Sequence, residues 1–277
     1  MLPTLELTKA IQYVSEHGTI LEQARLLRLL MDVEPSTEAY QKLIDSQNPD
    51  GGFPSRPREG SRSAVDSTLT AIWQFDELGL QDLPENQQAL RFLRAMQQPD
   101  GGWDENPDLP EHDLPPWIRP GEDATRLYLS TYAAYWLGTL GRPGEPAFSA
   151  GAQYIAAHQQ EDGLIPGYLH NNWLGAAVFL LAGSDYAQNF KRVLQALSER
   201  PWSDWADSQV GWALDCLLRA GLPAEHPFVQ NALAELLRRQ AEDGSWASED
   251  GESFAASATV GAIKVLKICG LVGALDD

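Results

Sequence analysis

The chain has little cysteine, little methionine and a shortage of positive charge. Of its 277 residues two are Cys and three are Met. Cys216 and Cys269 cannot build a disulfide framework, and neither belongs to a CxxC pair, so the expected setting is reducing, intracellular and cytoplasmic. Twenty Lys and Arg stand against 39 Asp and Glu, a formal net charge of −19. That surplus of carboxylates repels phosphate backbones and argues against nucleic acid as a partner. Long apolar runs are also missing. The most apolar segment, 173–183, is about half of what a bilayer crossing needs. Residues 1–17 carry Glu6, Lys9 and Glu16 where a signal peptide is continuously apolar. The expectation is a soluble protein whose contact with a membrane, where it has one, is peripheral.

A hydrophobic fraction of 43% with nine Trp is too apolar for a disordered chain, and the length is ample for a packed core. One phrase keeps returning: SQNPDGGF (46–53), QQPDGGW (97–103), QQEDGLI (159–165) and RQAEDGSW (239–246). The Asp before the glycine falls at Asp50, Asp100, Asp162 and Asp243, at spacings of 50, 62 and 81. SERPWSDW (198–205) stands in the widest gap as a degraded copy. The unit then recurs at the length of a two-helix repeat.

Amphipathic stretches such as 86–97 and 231–240 precede the phrase. After it come stretches apolar nearly all round, 65–78, 124–140, 172–182, 210–220 and 254–268, each closed by a glycine. A helix without a polar face has to be buried on every side. With 5–16, 20–31 and 37–46 the count is about twelve helices in six hairpins. The expected fold is all-α, a single (α/α)6 toroid over residues 1–277 in which six apolar helices are ringed by six amphipathic ones. An open superhelical stack is the competing arrangement; it wants polar caps at both ends, and 254–268 has no polar face. The repeated phrase itself reads as scaffold: glycine for a tight turn, Asp bonding its own backbone, Gln bonding the turn, and an aromatic packing on helix ends.

The Q-x-x-D-G-x-W phrase followed by an apolar helix resembles the repeat of squalene cyclases, other class II terpene cyclases and protein-prenyltransferase β subunits. The resemblance spans nearly the whole chain. It implies a central apolar, aromatic cavity and a small hydrophobic isoprenoid as ligand. In the class II cyclases an Asp of a D-x-D-D motif protonates the substrate, and that motif is absent. The nearest approach is Gly121-Glu122-Asp123-Ala124-Thr125, which makes Asp123, assisted by Glu122, the expected acid. In the prenyltransferases a zinc is held by Asp, a Cys two residues on, and a distant His. Here Asp215 and Cys216 are adjacent and point about 100° apart on a helix, so neither a metal nor another cofactor is expected.

Asp66, Asp123 and Asp207 all open apolar helices, where the plain reading is N-capping, a role that favours the anion. Asp123 is the exception favoured here because Glu122 precedes it. Arg56, Arg58 and Arg62, in the loop before 65–78, are candidates for a diphosphate clamp against the alternative of a solvated loop. Tyr128, Tyr132 and Tyr135, spaced along one helix, are expected to line the pocket with Trp173 and Trp212, since aromatic faces stabilise carbocations. The Pro-rich connection 104–122 is read as a lid or a surface loop. The leading functional expectation is a terpene cyclase-like enzyme. The alternatives are a noncatalytic lipid- or protein-binding toroid and a carbohydrate-active one, a polysaccharide lyase or glycoside hydrolase. The sequence sets no oligomeric state.

Overall fold

The computed structural model describes residues 4–55, 61–109, 114–141 and 144–273, which contain twelve α-helices and one pair of two-residue strands. Two compact units divide the chain. The continuous one, Gln41–Leu197, holds β1 (Phe53–Pro54), β2 (Ser63–Ala64), α4 (Val65–Glu77), α5 (Pro84–Met96), α6 (Asp123–Leu140), α7 (Pro146–His158) and α8 (His170–Ala182). The discontinuous one joins Met1–Tyr40 to Ser198–Asp277 and holds α1 (Leu7–His17), α2 (Ile20–Met31), α10 (Asp207–Arg219), α11 (Pro227–Arg238) and α12 (Ala255–Ile268). The helices α3 (Thr37–Asp45) and α9 (Ala187–Glu199) carry the chain from one to the other. No helix among the described residues is long and apolar enough to cross a membrane.

In the continuous unit α6 packs on α4 and on α8, while α5 and α7 lie against them with their apolar faces. The expectation of helices buried all round holds for α6 from Leu129 to Leu137 and for α8 from Asn171 to Phe179. It fails for α4, where Asp66, Ser67 and Gln74 are half-buried and Thr70 is exposed. Asp66, Thr70 and Gln74 recur every four residues, so their polar side chains share one helix face, and that face is left open. In the discontinuous unit Trp212, Asp215 and Lys264 are likewise half-buried, with Lys264 Nζ 2.9 Å from Asp215 Oδ2. Cys216, beside that Asp, is fully buried.

The repeated phrase is a staple. In each copy the Gln amide donates to the carbonyl of the phrase's glycine and to a carbonyl at the start of a neighbouring helix. Gln97 reaches Gly101 and Ala147, both at 2.8 Å, and Gln159 reaches Gly163 at 2.8 Å and Asn189 at 3.0 Å. The Asp accepts from the backbone two residues on, as Asp100 does from Gly102 at 3.1 Å. The indole N–H of Trp103 donates to Leu93 O, and that of Trp246 to Leu236 O, both at 2.7 Å. Their backbone N–H groups go to hydroxyls of the following inner helices, Ser130 and Thr259. Gly101 has φ +90, and an added Cβ would lie 2.6 Å from Ala150 O, so only glycine fits.

The degraded copy lacks both Gln and glycine. Arg239, at the end of α11, serves instead, donating to the carbonyls of Trp202 and Trp205 and pairing with Asp207 at 3.0 Å. The last staple returns to the first helix: Gln240 Oε1 accepts from Glu6 N at 2.9 Å, and α1 and α2 pack on α12. Buried Arg25 on α2 donates to Ser257 Oγ on α12 at 2.8 Å. The first and last helices are therefore neighbours within this unit.

Candidate active site

The open face of α4 begins at its N-terminus. The β1–β2 pair, with Phe53 opposite Ala64, delivers the chain straight into the helix. Its N-cap, Ala64, has no side chain able to accept a hydrogen bond. Asp66 is therefore not a cap, and the N-cap positions before Asp123 and Asp207 are Glu122 and Ala206, so none of the three aspartates caps its own helix. Asp207 instead accepts from Ala247 N at 3.1 Å.

The cap of α4 comes from the connection after Trp103. Glu105, 2% exposed, accepts from Val65 N at 2.6 Å and from Asp66 N at 3.1 Å, and also from Asn106 N at 2.8 Å. Asn106 Nδ2 donates to Ser63 O at 3.1 Å, and Leu109, Leu114 and Ile118 form a buried cluster with Ala64. The 104–122 connection, as far as it is described, is thus a seat for the α4 N-terminus. Residues 110–113 lie outside the description.

Burial lifts both acids. It pushes Asp66 up to about 6, opposed by a hydrogen bond with the Tyr128 hydroxyl. It pushes Glu105 up to about 7, opposed by the three backbone donors and reinforced by the neighbouring charge of Asp66. Asp66 is half-buried: open enough to be reached, yet surrounded by enough protein to lose most of its hydration.

Tyr128 links this acid to an aromatic array. Its ring centroid lies 6.0 Å from Tyr132, 6.1 Å from Tyr168 and 6.2 Å from His170. His170 contacts Trp173 at 4.9 Å, and Tyr132 contacts Trp136 at 6.3 Å. Tyr135, almost fully buried, packs on Trp136 at 5.1 Å. Four of the expected pocket aromatics, Tyr128, Tyr132, Tyr135 and Trp173, are thus brought into one chain of contacts, while Trp212 lies on α10 of the other unit. A cavity of about 220 Å³ runs along α4, lined by Leu43, Ser46, Phe53, Pro54, Ser67, Thr70, Ala71 and Gln74. Its lining is part polar, unlike the apolar aromatic one expected.

Glu122 and Asp123 stand exposed at the start of α6, with Glu122 3.9 Å from Arg119. Arg62 is exposed and pairs with Asp108 at 3.2 Å. Arg56 and Arg58 lie outside the described residues. Among the described residues no three metal-binding side chains come together. Sequence reasoning passed over Asp66 as a cap and did not single out Glu105. Ala64-Val65-Asp66-Ser67 holds one acid where D-x-D-D has three, too little to single Asp66 out from the sequence.

Comparison with known proteins agrees with this architecture. No family model matches the chain. It is 25% identical over 222 residues to a squalene-hopene cyclase from Schizosaccharomyces japonicus, and spans about a third of that protein's length. The match covers 67% of this chain and 33% of the cyclase. Among solved structures it is similar to the type II terpene cyclase MstE from Scytonema, with a TM-score of 0.62 and 15% identity, covering 96% of this chain and 98% of that one. A variant of MstE has been solved with its substrate, geranylgeranyl dihydroxybenzoate. The chain is also similar to protein geranylgeranyltransferase-I of Candida albicans complexed with GGPP, with a TM-score of 0.64 and 14% identity, covering 96% and 91% of the two chains. The fold is therefore the all-α (α/α)6 toroid shared by terpenoid cyclases and protein prenyltransferases.

Proposed function

We propose that the protein is a terpene cyclase-like enzyme that starts cyclisation of an isoprenoid by proton transfer from Asp66. The observation that carries this reading is the Asp66 carboxyl itself, held at an open helix end, lifted to about 6 by burial and joined through Tyr128 to a run of aromatic rings. A proton donor to an alkene has to be protonated near the working pH and shielded from bulk water. The proton leaves the carboxyl oxygen for one alkene carbon, and the positive charge appears on the other. Further double bonds attack in turn, and loss of a proton from carbon ends the sequence. The carboxylate regains its proton from solvent. Of the aromatic run, Tyr128, which contacts Asp66, is the half-buried ring placed to meet a cationic intermediate.

The exposure of Glu122 and Asp123 leaves them ordinary contact with water, which is why the acid role passes here to Asp66. The carbohydrate-active alternative is less well served. A glycosidase presents both carboxyls to the sugar, whereas Glu105 spends its oxygens on backbone N–H groups. The test is to incubate the protein with geranylgeranyl dihydroxybenzoate and with squalene and to follow products by mass spectrometry. A cyclised isomer is expected from the wild type. D66N should lower its rate by about 10³-fold or more, on the scale of losing the initiating acid, and D123N should leave it near wild type. Full turnover by D66N would overturn the assignment.

A further inference from the structure

An acid in the first turn of a helix is ordinarily a good anion, because free N–H groups point toward it and the helix dipole favours negative charge. Asp66 occupies that position on α4 and departs from the pattern, since its carboxyl is pushed up rather than down. The difference lies in which group receives the N–H donors. Ala64 offers no acceptor. Glu105, 39 residues on from Asp66, lays one carboxyl oxygen on Val65 N and the other on Asp66 N. It is 2% exposed, and the Asn106–Ser63 bond together with the Ala64, Leu109, Leu114 and Ile118 cluster fixes its segment in place.

We propose that Glu105 is a positioning residue for Asp66: it takes the N–H groups of Val65 and Asp66 at the α4 N-terminus that would otherwise favour the Asp66 carboxylate, and so keeps Asp66 a proton donor. This rests on the reading of Asp66 as the acid. The groups around the pair are consistent with it. From α6 the Tyr128 hydroxyl faces Asp66, and Tyr168 and His170, at the start of α8, meet the Tyr128 ring edge-on. The cations on these elements are engaged with other acids: Arg62 with Asp108 at 3.2 Å, Arg119 with Glu122 at 3.9 Å, and Arg126 with Asp100 at 2.8 Å and Asp104 at 3.8 Å. Asp104 in turn accepts from Glu105 N and Gly121 N. The Asp66 charge raises Glu105 in turn, so Glu105 acts on Asp66 through the N–H groups it occupies.

The experiment is a carboxyl ¹³C NMR titration of the full, ligand-free chain, with D66N used to assign the Asp66 signal. In E105A the Asp66 midpoint should fall by about one pH unit or more, which is about a tenfold loss of its protonated fraction at neutral pH. E105Q retains one acceptor oxygen for the α4 N–H groups and should give a smaller fall. An unchanged Asp66 midpoint in E105A overturns the proposal. Should E105A fail to fold, an unchanged midpoint in the isosteric E105Q does the same. Once turnover is measured, the alkaline limb of kcat should move to lower pH in E105Q, whereas a purely structural cap would reduce the rate equally at every pH. The titration needs no substrate, so D66N retaining turnover would remove the acid reading without touching the titration result.

Discussion

Glu105 is buried and Asp66 half-buried at one helix end, and both carboxyls lose hydration at a cost to folding. A carboxyl whose pKa is raised in the folded state penalises that state once pH exceeds its ordinary value near 4. The penalty grows until the folded value is passed, about 6 for Asp66 and about 7 for Glu105, and then stays constant. D66N should therefore be more stable than wild type at pH 8, by on the order of 1 kcal/mol, with the gap closing toward pH 4. Urea melts at the two pH values check this; equal stability of the two proteins at pH 8 would contradict the burial of the acid. The sequence displays Asp66 plainly, in a helix-opening VDST, but a cap and an acid look alike there. What separates them is the carboxyl that takes the neighbouring N–H groups, and it arrives from 39 residues away. No local pattern announces it.

Among the elements, the helices were legible because the DG phrase marks the ends of α3, α5, α7 and α11, and the expected 65–78 and 20–31 agree closely with α4 and α2. The turn is legible for a steric reason. Gly101 sits at φ +90 with Ala150 O where a Cβ would go, while Gly121, at φ +81, faces open space. Gly101→Ala should then cost about 2 kcal/mol or more, and Gly121→Ala about 1 kcal/mol, a difference readable in thermal melts; equal losses would mean the staple tolerates displacement. The polar face of α4 was not read, because Asp66, Thr70 and Gln74 are scattered among Leu69, Ile72 and Phe75 and the stretch as a whole scores as apolar. Hydropathy averages hide a stripe four residues apart, and that stripe is where the chemistry is proposed.

For the molecule as a whole, the sequence suggested a ring but could not exclude an open stack, since both use the same hairpins. Within one unit, Glu6 and Gln240 are hydrogen-bonded although they lie far apart in the chain. The unit made of Met1–Tyr40 and Ser198–Asp277 should behave as one cooperative body. Native-state hydrogen exchange should accordingly show the slowest amides of α1 and α2 opening with those of α12, and a lower opening energy for α1 and α2 alone would contradict it.

That same unit sets a problem of timing for the cell. Ala10, Val14, Leu26 and Leu30 leave the ribosome long before α12, on which α1 and α2 pack, has been translated. With all of Gln41–Leu197 still to be made, the delay is on the order of ten seconds at ordinary elongation rates. Through that interval the nascent α1 and α2 carry apolar faces with nothing yet to cover them, a natural client for a chaperone at the exit tunnel.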